Sequence, residues 1–362
     1  MRFSEFHDIE ALESELYTCT MCGFCKQVCP VFVDEGWDTA APRGRMTLAY
    51  GLLSGQLDVD DSVLDRLYQC TQCHDCARKC PSRAACPDVV LAGRREMVNR
   101  GHITTRQATL VDNVHRTGNI FGDPEAGVPS RQGTLPVFIG CQYISRPNSV
   151  KKIIRLLETL GVDPLVMDES CCGFPLRILG FDEAEKEQQL RLREQFPMDD
   201  REILTLCPSC LKQLREVYGQ SSMHILQMLD RTLDTIPVMT PVQTRVTYHD
   251  PCDLSRGAGI MDEPRRLLAH MGADIVEMKH HHDTSRCCGG GGGILTWDEA
   301  LSLRMSVSRI EEARRTGAEM LVTACPTCEQ NLKRGAQAEA EASGHPAMPV
   351  RHIMDLLIRA VR

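Results

Sequence analysis

The sequence predicts an α-rich N-terminal domain followed by two duplicated α/β domains. Three observations predict it. Two dense cysteine runs in the first 80 residues are separated by stretches of helical periodicity. Beyond residue 135, short apolar runs alternate with amphipathic segments, the pattern of a mainly parallel sheet with crossover helices. The cysteine contexts of that second half also occur twice, roughly 115 residues apart.

Taken in order, residues 1–18 read as a helix with Phe6, Ile9, Leu12 and Leu16 on one face. Helices over 45–53 and 63–67 lie between the cysteine runs, and another over 87–100 closes at Gly101. These make the first domain, 1–104. Residues 105–134 carry Gly, Pro, Asp and Asn with little periodicity and read as a linker. The first α/β domain covers 135–242 and the second 243–362, with the boundary near 237–244. Strands are expected at 135–140, 203–206, 245–248 and 321–323, and a helix at 150–160 ending at Gly161. The cysteines then fall just past strand ends, where open α/β sheets bind ligands.

Of 362 residues, 19 are Cys, 42% are hydrophobic and the net charge is −8. The apolar fraction suits a globular chain rather than a disordered one. The acidic balance argues against nucleic acid, which needs a basic face. No stretch approaches about 18 consecutive apolar residues, so no membrane span is expected. Met1-Arg2-Phe3-Ser4-Glu5 does not open a signal peptide. A cytoplasmic, reducing location follows, and there clustered cysteines are read as metal-binding thiolates, not disulfides.

Cys19, Cys22, Cys25 and Cys29 precede Pro30; Cys70, Cys73, Cys76 and Cys80 precede Pro81. Both runs read C-x2-C-x2-C-x3-C-P, the bacterial ferredoxin pattern for a cubane [4Fe–4S] cluster. Three closely spaced Cys wrap a tight loop around one cluster, and the fourth ligates the other. One cubane is therefore assigned to Cys19, Cys22, Cys25 and Cys80, and the second to Cys70, Cys73, Cys76 and Cys29. Cys70 to His74 also spells the haem-attachment pattern C-x-x-C-H, but the longer iron–sulfur pattern accounts for the same residues.

The second half runs Cys141, Cys171-Cys172-Gly173, Cys207-Pro208-Ser209-Cys210, then Cys252, Cys287-Cys288-Gly289, Cys325-Pro326-Thr327-Cys328. Three chemistries compete: a structural zinc, a redox dithiol at C-P-x-C, and an iron–sulfur cluster of unusual shape. Zinc uses an adjacent Cys pair poorly, and a dithiol leaves three Cys of each copy unexplained. The third uses all five. Only Cys86 remains outside both patterns, read as a small, partly buried thiol beside the second cubane.

These motifs resemble the heterodisulfide reductase family. The duplicated unit resembles its CCG domains, and the ferredoxin runs resemble its small electron-supplying subunit. The fusion is similar to the two-in-one catalytic subunit of the membrane-linked form and its relatives in sulfate reducers. The likeness extends from about Tyr17 to the end and includes Cys22-Gly23-Phe24-Cys25, Gly36-Trp37, Pro42-Arg43-Gly44-Arg45, Tyr248-His249-Asp250-Pro251-Cys252 and Cys287 to Gly292. It implies a ferredoxin-like two-cluster domain followed by two duplicated, Rossmann-like α/β CCG domains. It also implies one non-cubane [4Fe–4S] cluster on Cys141, Cys171, Cys172, Cys207 and Cys210, and another on Cys252, Cys287, Cys288, Cys325 and Cys328. On this resemblance, electrons pass from the cubanes to the non-cubane clusters, which reduce or form a disulfide. Iron–sulfur subunits of glycolate, lactate and glycerol-3-phosphate dehydrogenases share the layout. The alternative is thus a relay from an FAD-linked dehydrogenase to quinone, and a third reading is a zinc-stabilised scaffold in the second half.

No flavin fingerprint is present, so the expected partner is a flavoprotein or quinone-linked redox subunit, with any membrane association peripheral and through partners. A small thiol or disulfide is the expected substrate. The run Gly289 to Gly293 lacks the Lys-Ser/Thr of a P-loop. Gly173, Gly289 and Gly290 are instead expected to let backbone approach a cluster. His280-His281-His282 could bind metal but reads as a solvated loop, since adjacent His rarely share one metal geometry. His249 and Asp253, near Cys252, are expected to support the cluster from outside, with proton donation to a sulfur substrate as the alternative. Arg43 and Arg45 are expected to offset thiolate charge.

Overall fold

A computed structural model describes residues 6–196 and 199–361. The expected first helix is seen from Phe6 on, and residues 1–5 lie outside the described residues. It is broken into two short pieces, His7–Glu10 and Glu13–Thr18, which bury Ile9 and Leu16. Helices Pro42–Leu53, Asp61–Tyr68 and Cys86–Asn99 complete a core around Met46, Leu52, Leu67, Tyr68, Val89 and Met97. Pro42 sits in the first turn of its helix, where a missing N–H costs nothing. Asp60 caps the next helix by accepting the Val63 N–H at 2.8 Å.

The linker expectation needs correction at 105–117. Thr105–Thr117 is a helix, opened by a capping box in which the Thr104 hydroxyl accepts the Gln107 N–H and the Gln107 side chain accepts the Thr104 N–H. Its apolar stripe is short, with Val114 as its buried apolar residue, so periodicity was weak. It lies against helices Asp182–Gln195 and Ile294–Trp297, one from each α/β unit.

The first α/β unit holds β1 (Leu135–Phe138), β2 (Pro164–Leu165), β3 (Ile203–Thr205) and β4 (Ser222–His224). They pair in parallel in the order β2-β1-β3-β4. The second holds β5 (Arg245–His249), β6 (Asp274–Ile275), β7 (Met320–Thr323) and β8 (Val350–His352), parallel in the order β6-β5-β7-β8. Registers correspond: Thr205 pairs with His224, and Thr323 with His352. β1 and β3 are shorter than expected, because the chain turns out of the sheet before Gly140 and Cys207. β2, β4, β6 and β8 have only two or three residues, too short for alternation to register.

The two units share one apolar core, with helix Pro147–Thr159 packed on helix Ile353–Ala360. Polar bonds cross it: Tyr143 Oη to His352 Nε2 at 2.9 Å, Arg146 to Glu329 at 2.9 Å, and Ser209 Oγ to Asp253 at 2.6 Å. Arg94, fully buried, joins all three parts. Its guanidinium donates to the carbonyls of Leu67, Tyr68 and Cys70, to Ile178, and to Gly292. Seating backbone carbonyls on a fixed fork of donors sets the three domains in one relation.

Candidate functional site

Both ferredoxin-type runs adopt the same loop. Met21 and Gln72 take φ of 55° and 53°, and Gly23 and His74 take 81° and 61°. Left-handed residues on either side of Cys22 and Cys73 turn successive amides inward, a nest suited to anionic sulfur. Three of these residues are not Gly, and such strain collects at functional loops at about 1–3 kcal/mol each. The runs differ in exposure. Cys22 is exposed and Cys19 and Cys25 half-buried, whereas Cys70 and Cys73 are buried. The structure brings Cys29 beside Cys73 and Cys76, and burial pushes its thiol up to about 11. Arg45, buried, points a guanidinium nitrogen at Cys29 Sγ at 3.8 Å. Arg43 pairs with Asp38 and reaches the Met21 carbonyl at the first run. Cys80 meets Ser82 Oγ at 3.3 Å, and Cys86 lies against Cys76 with its thiol on the Pro42 carbonyl at 3.3 Å.

The duplicated thiols form two chains of sulfur contacts with one connectivity. Cys141 meets Cys171, Cys171 meets Cys172, Cys172 meets Cys210, and Cys210 meets Cys207. In the second unit the chain runs Cys252, Cys287, Cys288, Cys328, Cys325. Cys141 Sγ to Cys171 Sγ is 3.9 Å and Cys288 Sγ to Cys328 Sγ is 3.2 Å. The elements explain the convergence. The loops after β1, β3, β5 and β7 all leave at the same edge of their sheets. Pro208 and Pro326 then start helices whose first amides face Cys207 and Cys325. Neighbouring thiols and burial push Cys141, Cys210, Cys287 and Cys328 well above the ordinary thiol range. Hydrogen bonds from adjacent thiols lower others, Cys172 to about 6 and Cys207 and Cys288 with it, so each buried group mixes raised and lowered thiols, and a donor set of five convergent sulfurs fits metal.

The glycines expected beside the cluster loops meet the thiols as follows. The Gly289 and Gly290 amides donate to Cys287 and Cys288 Sγ, both at 3.4 Å. Gly289 has φ of 79°, and a Cβ there would lie 2.7 Å from the Ser302 carbonyl oxygen. Gly173, at φ of 88°, starts helix Phe174–Leu179 directly after Cys172. His249 faces thiols of the second group: a ring nitrogen lies within 4.8 Å of Cys288 and Cys328 Sγ. Arg309 Nε donates to its Nδ1 at 3.2 Å, leaving the buried Nε2 without a nitrogen or oxygen partner and facing Cys288. Asp253 accepts from Ser209 across the interface. His280 Nδ1 is tied to Glu312.

Cysteines of both duplicated groups line one cavity of about 250 Å³, floored by Thr71 and Gln72 of the second ferredoxin-type loop. That loop also touches the second unit directly: Cys73 contacts Cys287, and Arg256 donates to the Cys73 carbonyl at 2.7 Å. Sequence reasoning missed Arg94, Arg256, Arg309 and Glu169. The carboxylate of Glu169 accepts the Ile139 and Gly140 amides at 2.9 and 2.5 Å just before Cys141, and burial pushes it up to about 8. Nothing in spacing marks a residue whose role depends on burial against a distant loop.

Comparison with known proteins agrees with this layout. Residues 15–84 match the 4Fe-4S dicluster domain, and residues 136–215 and 246–333 match the cysteine-rich domain named CCG. The chain is 29% identical to one subunit of the dihydromethanophenazine:CoB–CoM heterodisulfide reductase of Methanosarcina barkeri, over 90% of each chain. It is 28% identical to one subunit of the fumarate reductase (CoM/CoB) of Methanothermobacter marburgensis, covering 98% of this chain and 76% of that one. A hypothetical protein from Helicobacter pylori shares the fold at a TM-score of 0.58 and 8% identity, over 89% of this chain and 68% of that one. Among the described residues no helix is long and apolar enough to cross a membrane.

Proposed function

Starting from a heterodisulfide reductase-like iron–sulfur protein, an oxidoreductase component, we propose that this chain carries electrons to a cavity where a disulfide is reduced or formed. The observation that carries the reading is one cavity lined by thiols of both groups, four of the first and all five of the second. We read the two sheets as copies of one Rossmann-like unit that face each other across it. The ligand sets are those of the sequence reading, two cubane and two non-cubane [4Fe–4S] clusters. When bound, the clusters supply single electrons and Lewis-acidic iron to sulfur.

The chain's own residues supply the rest. Cys22 and its neighbours sit in the exposed loop, ringed by exposed Tyr17, Met21, Phe24, Trp37 and Tyr50. An apolar, aromatic rim around a half-open thiol group suits the docking of a flavoprotein or quinone-linked redox subunit. Cys29 and Cys73 lead inward, and the Cys73–Cys287 contact leads to the cavity wall. At the wall, the thiols of each copy would hold iron that meets one sulfur of the substrate. Balance is RSSR′ + 2 e⁻ + 2 H⁺ giving RSH and R′SH, the electrons arriving singly from the partner. Gly289 and Gly290 hold the Cys287-Cys288 turn against the cavity with their amides on sulfur.

The test is anaerobic. Iron and labile sulfide are counted, and EPR spectra are taken before and after adding thiols and disulfides to the poised protein. About sixteen iron per chain, with a new paramagnetic signal on adding thiol or disulfide, supports the reading. The same iron with spectra indifferent to every thiol turns the chain into a relay for a dehydrogenase. About eight iron with zinc removes the non-cubane assignment.

A further inference from the structure

The histidine triplet is not the free solvated loop its sequence suggested. His281 Nδ1 and His282 Nδ1 face each other at 2.5 Å. Two bare nitrogen lone pairs repel at that distance, so a shared proton or a cation belongs between them. A carboxylate oxygen of Glu277 lies within 4.8 Å of both ring nitrogens. We propose that Glu277, His281 and His282 form a binding site for one divalent transition-metal ion of the borderline class that includes zinc.

Two of the three donors are held for the task. His282 has φ of 54°, a left-handed conformation that strains its backbone, and its ring lies 4.7 Å from the His281 ring, centroid to centroid. Its Nε2 pairs with Asp262 Oδ1 at 3.2 Å. A carboxylate on one ring nitrogen fixes the proton there and bares the other as a ligand, the usual outer support of a metal-binding His. Glu277 is anchored by Arg265, whose Nε and Nη2 bind its two oxygens at 2.6 and 3.0 Å. A carboxylate offers about four lone-pair sites, so both oxygens keep one for a cation. An ion at about 2.0–2.1 Å from each nitrogen spreads the rings by less than about 1 Å toward tetrahedral geometry.

Two imidazoles and one carboxylate select zinc, nickel, cobalt or copper over the hard cations, and three ligands leave a fourth position for water. The site is separate from the thiol groups and braces one of them. The His282 N–H donates to Asp250 at 2.8 Å, and Asp250 stands two residues before Cys252. Arg265, which holds Glu277, also grips Asp250 at 2.7 and 3.0 Å. An ion here pins the segment leading to Cys287 onto the loop carrying Cys252.

The full chain with its native iron is dialysed anaerobically against micromolar Zn²⁺, and zinc, iron and sulfide are counted. Wild type is expected to hold one zinc per chain with iron unchanged, and His281→Ala/His282→Ala none. Asp262→Asn removes only outer support and is expected to weaken zinc affinity about 10–100-fold. Glu277→Gln keeps the shape of a ligand and is expected to weaken it more, which preserves the test if the double variant does not fold. No zinc on wild type, equal zinc on wild type and variants, or zinc gained only as iron is lost would each overturn the site.

Discussion

The two five-thiol groups share connectivity but not surroundings. Three residues before the first Cys, the first copy has Phe138, edge-on to Phe196 at 5.3 Å; the second has His249, facing Cys288. Two residues before the Cys pair, the first copy has Glu169 on the Ile139 and Gly140 amides; the second has Ser285, whose hydroxyl accepts from Arg309 at 3.2 Å. After the first Cys stand Gln142 and Asp253. Asp253 accepts from Ser209 of the other copy, while Gln142 Oε1 is buried without a partner. The second copy is also the one that touches Cys73. Thiol placement is set by the turn chemistry both units share, whereas the charge around the thiols differs between them. Cationic Arg256 and Arg309 and a His donor surround the second group. Positive charge and hydrogen bonds at sulfur favour the reduced form, so the second group is expected to be the easier to reduce.

The largest expected effect treats both copies alike. Arg94 seats carbonyls from Ile178 of the first unit and Gly292 of the second on one buried guanidinium. Arg94→Ala strips these of their donors and is expected to cost about 3–5 kcal/mol in anaerobic urea denaturation. A loss below about 1 kcal/mol would mean the units are held by their apolar core alone.

Next comes the asymmetry itself. His249→Phe gives the second group the first group's residue. Losing one hydrogen bond to a thiolate, worth about 1.5–3 kcal/mol, lowers a one-electron potential by on the order of 100 mV. EPR-monitored titration should show one signal moving and the others still. Signals that all move together, or none that moves, would break the comparison.

Much of this was legible in the sequence, and the reasons differ by element. Cys-Pro-x-Cys could be read as a strand end followed by a helix start because Pro fixes the first turn, as Pro208 and Pro326 do. β1, β3, β5 and β7 were readable because they are central and apolar. β2, β4, β6 and β8 were not, since pairing of two or three residues is decided by the neighbouring strand. Helix Thr105–Thr117 hid behind a weak stripe, although Thr104 and Gln107 spelled its cap. At the site the thiols and glycines announced themselves. Glu169, Arg256 and Arg309 did not, because a charged residue shows its role only when folding buries it against a thiol-bearing loop.

A smaller effect concerns a feature the copies still share. His224 and His352 each end the last strand and cap the next helix through Nδ1, to Leu226 and Met354. Burial lowers both, His224 to about 3. An unfolded His takes a proton near pH 6.5 that the buried ring refuses. Stability is therefore full above pH 6.5 and is lost as pH falls toward 3. Between pH 7 and 5.5 His224 is expected to cost about 1 kcal/mol, and His224→Gln should remove its share of the slope. An unchanged slope would place the acid sensitivity elsewhere.

The smallest effect probes the contact that only one copy makes. Ser209 Oγ donates to Asp253 at 2.6 Å, and the reciprocal positions are Thr327 and Gln142. A cycle of Ser209→Ala, Asp253→Asn and the double variant isolates this bond from each residue's other effects. It is expected to return a coupling of about 0.5–1.5 kcal/mol in urea denaturation. The cycle of Thr327→Ala and Gln142→Ala should return about zero, within the few tenths of a kcal/mol that uncoupled sites show. Equal couplings would mean the interface relaxes to two-fold symmetry in solution. The divergence between the copies would then be confined to the His249 and Glu169 shells around the thiols.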